Sequence, residues 1–293
     1  MLNNLIKQVS KIVVGNENKI KLTLAAILSE GSVLIEDNPG SGKTTFAKTI
    51  TLNLGLNFKR IQFTSDLLPS DILGFNIFKN EELNFQQGPI FTNIVLADEL
   101  NRGSPKSQSA FLEAMEEKNI SIDGQTYKLP DPFFVIATQN PMDSSGTSTL
   151  PDSQLDRFMI SFSLSELNDQ DKILMLKNNI DLDNINCEKI NWREIKDKKN
   201  QVNVSDEIYN YVLEIEQTIR SLDQQIYISP RCLKQIIDLG RGWAMIHSKN
   251  YVTHQDIKDL LPYVLKHRIK FLKQEEKKNF VINEILNKIN IKK

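Results

Sequence analysis

The chain has 293 residues, with 36 Lys and Arg against 37 Asp and Glu, a formal net charge of −1 and a pI near 6.4. That is long enough for two domains, and the even balance offers no electrostatic reason to expect nucleic acid as a partner. Two cysteines, Cys187 and Cys232, are too few for a disulfide framework or a zinc site, no apolar stretch has the length of a membrane span, and the N-terminus lacks a secretory pattern, so a reducing, cytoplasmic setting is expected.

The first apolar run, Gly31-Ser32-Val33-Leu34-Ile35-Glu36, reads as a strand and leads into Asn38-Pro39-Gly40-Ser41-Gly42-Lys43-Thr44. From Thr44 to Leu54, Phe46, Ala47, Ile50 and Leu54 recur at helical spacing. Strand, glycine-rich loop and helix start is the context in which backbone N–H groups can be aimed at a triphosphate. Gly40 and Gly42 leave that approach open, Lys43 can reach the β- and γ-phosphates, and the Thr44 hydroxyl can ligate magnesium. The competing reading is a chance Gly-Lys-Thr turn. One position departs from the usual G-x-x-x-x-G-K-[ST] pattern: Asp37 stands where glycine is expected. Aspartate tolerates the left-handed region better than most residues, but a carboxylate facing phosphates would weaken their binding.

Further apolar runs at 58–63, 94–98, 133–138 and 158–163, with 32–36, alternate with helical patterns and predict a parallel α/β sheet with helices on both faces. The run Ile94-Val95-Leu96-Ala97 ends in Asp98-Glu99. At the carboxyl end of a buried strand, Asp98 would hold magnesium through its water shell and Glu99 would activate an attacking water. Many strands end in acids, so the pair is weak evidence alone. With the loop it predicts ATP binding and hydrolysis.

Residues 64–93 interleave Gly74 and Gly88-Pro89 with Phe75, Ile77, Phe78 and Phe85, and read as an inserted hairpin or short helix. Those phenylalanines either pack the insertion down or contact a client. Ser104-Pro105 is a helix start. A second insertion at 120–129 reads as a hairpin turning at Asp123-Gly124. Residues 166–202 are polar, with some helix at 168–178, and read as a connector. From 203 to 293 the pattern is helical: Ile208, Val212, Ile215 and Ile219 form one stripe, Pro230 opens a helix to about 247, Thr253 and Asp256 form a capping box, and Pro262 is expected to end the helix that follows. His247, His254 and His267 lack metal-ligand spacing.

Several stretches together resemble the MoxR-type AAA+ ATPases, from about residue 10 to 270: Arg60-Ile61-Gln62-Phe63-Thr64 with Asp66-Leu67-Leu68-Pro69-Ser70-Asp71; Gly88-Pro89-Ile90-Phe91; Leu96 to Arg102; Ala137-Thr138-Gln139-Asn140-Pro141; Gln154-Leu155-Asp156-Arg157-Phe158; Ser229-Pro230-Arg231; and His267-Arg268-Ile269. The resemblance implies an α/β nucleotide-binding domain over 1–165 with a five-stranded parallel sheet, a helical lid over the nucleotide, and assembly into a ring, expected to be a hexamer. It implies ATP and Mg2+ as ligands, with Thr44 and Asp98 on the metal. Val14, Gly15, Pro39, Gly40, Ser41, Gly42, Lys43, Thr44, Thr45 and Arg231 would bind the nucleotide. Glu99, Asn140 and Arg157 would be catalytic. Asn140 matches a residue that senses the γ-phosphate, although an Asn before Pro141 also suits a turn. Arg157 matches an arginine finger acting on the neighbouring subunit's nucleotide, with a surface salt bridge as the alternative. Arg231 matches a second sensor, and Arg102 would lie near the subunit interface and sense the neighbour's state, with a local structural role as the alternative. The resemblance further implies a protein client and partners with von Willebrand factor A domains. A metal-chelatase motor subunit, a nucleic-acid-acting ring and a non-hydrolysing switch are the competing readings. The hairpin at 120–129 carries only Lys128 as a basic residue, which counts against nucleic acid.

Overall fold

The computed structural model describes residues 2–38, 40–79, 81–140, 150–164, 166–177, 191–222, 228–268, 283, 285 and 286. Two helices, α1 (Leu2–Ile12) and α2 (Glu17–Leu28), precede β1 (Ser32–Glu36) and α3 (Lys43–Asn53). Then come β2 (Phe58–Gln62), α4 (Pro69–Leu73), the hairpin β3 (Gly74–Lys79) and β4 (Glu82–Gln87), and β5 (Ile94–Asp98). A 3-10 turn (Leu100–Arg102) leads to α5 (Pro105–Glu117), the hairpin β6 (Asn119–Ile122) and β7 (Gln125–Lys128), β8 (Phe134–Gln139), α6 (Asp152–Leu155) and β9 (Phe158–Phe162). The remainder is helical: α7 (Asp169–Lys177), α8 (Trp192–Asn200), α9 (Asp206–Leu222), α10 (Pro230–Ile246) and α11 (His254–Leu265).

The five expected strands pair in the order β2-β5-β8-β1-β9, all parallel. Their side chains divide between two cores by alternation. Val33, Ile35, Ile94, Leu96, Phe134 and Ile136 join one cluster with α1, α2 and α3, while Leu34, Val95, Ala97, Val135 and Ala137 join another with α4 and α5. Coverage on both faces is why these strands read as continuous apolar runs.

Both insertions are hairpins that lean on each other. Phe85 stacks on Tyr127 at 4.0 Å between centroids, and the Asn76 amide donates to Asp123 Oδ2 at 2.6 Å. Asp123 (φ 49°) and Gly124 (φ 80°) make the tight turn expected of an Asp-Gly pair. Phe75 and Phe78 are exposed, so the phenylalanines divide, with only Phe85 packing the insertion.

The C-terminal helices pack against α2 and β9. Gly242 of α10 meets α2 so closely that a Cβ there would lie 2.5 Å from the Ala25 carbonyl oxygen, and Ser29 Oγ donates to the Asp238 carbonyl at 2.7 Å. α8, inside the span read as a connector, buries Ile195 and sets Trp192 against Phe134. Pro262 does not end its helix; it lies inside α11. Proline forfeits one intrahelical donor, but Leu260, Leu261, Val264 and Leu265 are all buried around it, and that packing carries the helix through. Val13–Gly15 is neither strand nor helix but the turn between α1 and α2, with Gly15 at φ 75°. Among the described residues no helix is long and apolar enough to cross a membrane.

Candidate active site

The glycine-rich loop leaves β1 at its carboxyl end and runs into α3. Gly40 (φ 81°) and Gly42 (φ 88°) are left-handed, and a Cβ built on either would meet nothing within 4 Å. Conformation, with open space around both positions, is what selects glycine here. Gly42 caps α3 without a side chain, so the first-turn amides of that helix have no side-chain acceptor. Ser41 Oγ is buried with no hydrogen-bond partner among the described residues. Lys43 Nζ curls back to donate to the carbonyls of Asp37 (3.0 Å) and Asn38 (2.6 Å). Open space, unpaired donors and a lysine at the head of the helix fit a polyphosphate. Thr44 and Thr45 follow in the first helical turn, and Pro39 lies outside the described residues.

Asp37 is not left-handed. Its Oδ1 accepts from the Asn38 amide at 2.7 Å and its Oδ2 from the Leu164 amide at 3.2 Å. Its own amide donates to the Gln139 carbonyl at 3.1 Å. The carboxylate therefore closes the turn and ties the loop to the segment after β9. The left-handed conformation considered for Asp37 is corrected: the glycines at 40 and 42 supply the loop's positive φ instead.

Across the sheet, β5 delivers the two acids. Asp98 is 7% exposed; its Oδ1 accepts from Thr138 Oγ1 at 2.6 Å, and its Oδ2 from Arg60 Nε at 2.9 Å and Nη2 at 2.6 Å. Glu99 has φ 53° and ψ 47°, a left-handed conformation costly for a side chain of this size and typical of functional positions. Its amide donates to Thr138 Oγ1 at 2.9 Å, and its Oε2 accepts from Gln62 Nε2 at 2.9 Å. Arg102 pairs with the same oxygen at 3.4 Å, so its local contact is with Glu99 of its own chain. Asn140 follows β8 directly, beside the start of the loop. The oxygen donors at Thr44 and Asp98 are of the kind that suits magnesium.

Thr138, Arg60 and Gln62 were not among the residues singled out from sequence as site residues. Register explains why they matter: Gln62 pairs with Asp98, and Ala97 with Ala137, which sets Thr138 beside Asp98. The polar–apolar alternation of Arg60-Ile61-Gln62 on the edge strand was the available signal.

The structure does not bring Arg157 and Arg231 to this loop. Arg157 precedes β9, whose first residue pairs with Ser32 at the start of β1. A five-residue strand spans about 16 Å, so these arginines sit one strand length from the loop. Arg157 Nε pairs with Glu116 Oε2 at 3.0 Å; Arg231 pairs with the other oxygen of Glu116 and with Asp156 at 3.6 Å. They line a cavity of about 450 Å³ together with Glu30, Lys118 and Lys234. Burial alone would raise the Glu30 carboxyl, but hydrogen bonds from Lys118 and Lys196 hold it down at about 2. Gly15 has a different neighbour, since a Cβ on it would lie 2.9 Å from Asp171 Oδ2, and Val14 precedes it in the same turn.

The chain is similar to known proteins over most of its length. Residues 32–160 match the profile of the ATPase family associated with various cellular activities (AAA), and residues 216–289 match the AAA lid domain. The chain is 40% identical over 277 residues to uncharacterized protein YeaC of Bacillus subtilis, covering 92% of this chain and 87% of the relative. It is 32% identical to Chaperone MoxR1 of Mycobacterium tuberculosis, covering 98% of this chain and 81% of the relative. A crystal structure of a provisionally assigned ATPase from Cytophaga hutchinsonii superposes with a TM-score of 0.83 at 33% identity, covering 99% and 94% of the two chains. With an AAA core, a lid match and likeness over 98% of its length to a MoxR chaperone, the chain belongs to the MoxR-type AAA+ ATPases.

Proposed function

We propose that this protein binds ATP with Mg2+ on the loop after β1, hydrolyses it, and uses the cycle to remodel or mature protein clients. The observation that carries the reading is the meeting, at the carboxyl ends of parallel strands, of an open phosphate loop with Asp98 and Glu99. Gly40, Ser41, Gly42, Lys43 and Thr45 bind the phosphates, Val14 and Gly15 lie toward the base, and Thr44 and Asp98 hold the metal. Magnesium, when bound, neutralises charge on the β- and γ-phosphates. Glu99, kept in place by Gln62, takes the proton from the attacking water, and Asn140 orients that water or the γ-phosphate.

Arg157 and Arg231 act on a different nucleotide. Their shared position at the opposite end of β1 supports a ring, expected to be hexameric, in which both reach the phosphates bound by the next subunit. There they stabilise charge developing in the transition state. The client and a von Willebrand factor A domain partner rest on family resemblance.

Glu99→Gln and Lys43→Ala test the division of labour. Glu99→Gln should retain ATP affinity and lose about 10²–10⁴-fold in turnover. Lys43→Ala should lose affinity as well, because it removes a direct phosphate contact. Wild-type turnover in Glu99→Gln, or equal affinity in the two variants, overturns the assignment.

A further inference from the structure

Asp98 is not a bare carboxylate waiting for a metal. A carboxylate offers about four acceptor sites. Arg60 takes both on Oδ2 through Nε (2.9 Å) and Nη2 (2.6 Å), and Thr138 takes one on Oδ1 (2.6 Å). Among the described residues one site is left, on Oδ1, for a metal-bound water. The guanidinium also places a full positive charge on the acid that is to attract a divalent cation. The same Nη2 donates to Gln62 Oε1, and the Gln62 amide nitrogen donates to Glu99 Oε2 at 2.9 Å. Arg60 thereby selects which end of the Gln62 amide faces Glu99. Strand periodicity makes this possible: residues 60 and 62 share one face of β2, and β2 pairs in register with β5.

The geometry points to Arg60 as a positioning residue with two linked effects. It partly neutralises Asp98 and so sets how much magnesium the nucleotide site requires. It also fixes Gln62, and through Gln62 the carboxylate of Glu99. This rests on the reading that Asp98 serves magnesium. Two consequences differ in sign. Removing the charge should favour the metal, because a competing cation is gone. Removing the guanidinium fork should slow the chemistry, because Glu99 loses its support. A purely structural arginine would not separate these.

The test measures binding of a non-hydrolysable ATP analogue by calorimetry at graded Mg2+, together with turnover at saturating Mg2+. Arg60→Gln should lower the Mg2+ midpoint about three- to tenfold, a charge effect reduced by the partial exposure of the arginine, while kcat falls. Arg60→Lys keeps the charge without the fork, so it should keep the wild-type midpoint and still lose kcat. Asp98→Asn should raise the midpoint. If Asp98→Asn raises the midpoint and Arg60→Gln leaves it unchanged, the role of Arg60 is overturned while the metal site stands. An unchanged midpoint in Asp98→Asn overturns the metal site and the role of Arg60 together. Should Arg60→Gln fail to fold, as thermal unfolding would show, Arg60→Lys decides: wild-type kcat in that variant overturns the positioning role.

Discussion

The two ends of the central sheet are built on different principles. At the carboxyl ends of the strands, the acids are held by hydrogen bonds within one chain, from Thr138 to Asp98 and from Gln62 to Glu99 across neighbouring strands, and the loop by the turn that Asp37 closes on the Asn38 amide. At the other end two arginines, Arg157 from before β9 and Arg231 from the start of α10, share the single carboxylate of Glu116 beside an open cavity. The first arrangement is fixed by contacts within the chain itself. The second contains cations and no phosphate loop. Preorganisation belongs where a bound group must be placed accurately. Exchangeable ion pairs would suit the proposed role, in which the arginines trade one anion, Glu116, for a neighbour's phosphate.

The largest expected effect breaks the comparison at its second end. Arg157→Ala should bind ATP normally and lose about 10³–10⁵-fold in turnover. Mixed with Glu99→Gln in rings of demonstrated co-assembly, it should regain part of that activity, because an intact Glu99 can meet an intact Arg157 across an interface. Arg231→Ala should fall in the same complementation group. Mixing Arg157→Ala with Arg231→Ala should give no rescue if both serve the neighbour, since every interface then lacks one of them. Rescue in that mixture would return Arg231 to its own chain's nucleotide. Full activity of an ATP-bound monomer would remove the trans reading altogether.

A smaller effect sharpens the first end. Because both Asp37 carboxylate oxygens are occupied by backbone amides, Asp37→Gly should leave ATP affinity by calorimetry nearly unchanged and destabilise the fold by about 1 kcal/mol. A clear gain in affinity would mean the carboxylate turns toward the phosphates when they bind.

The smallest effect concerns Glu30, beside the arginine pair. Its folded value of about 2 lies below the ordinary 4.5, so the folded state holds the charged form more tightly. That contribution is present above about pH 4.5 and is lost as pH falls toward 2. Partial exposure limits it to about 0.5–1 kcal/mol. Glu30→Gln should flatten the acid limb of stability against pH over that window and leave nucleotide affinity alone. An unchanged acid limb would show that the two lysines contribute nothing there.

How much was legible in advance differs between the two ends as well. All five sheet strands, the loop glycines and the Asp98–Glu99 pair could be read from the chain, because each depends on local rules: apolar runs buried on both faces, positive φ, acids at a strand end. Pro262 misled for the same reason, since a local rule against proline in helices was outweighed by burial of the residues around it. The contacts of Arg60 and Thr138 with Asp98 were not legible, although both residues lie in the resembling stretches, because they depend on register across strands some forty residues apart, with Arg60 38 and Thr138 40 positions from Asp98. No local pattern encodes that.

The sequence by itself therefore determined the parallel α/β core, the glycine-rich loop after β1 and the acids at the end of β5, since backbone conformation and hydrophobic alternation act over a few residues. Only the tertiary structure decided that Asp37 closes a turn, that Arg60 and Thr138 surround Asp98, and that Arg231 stands with Arg157 a strand length from the loop. Those relations arise from strand order and from the packing of α10 on α2, where Gly242 lets two helices approach to backbone contact, and long-range packing of that kind is set by the whole chain at once.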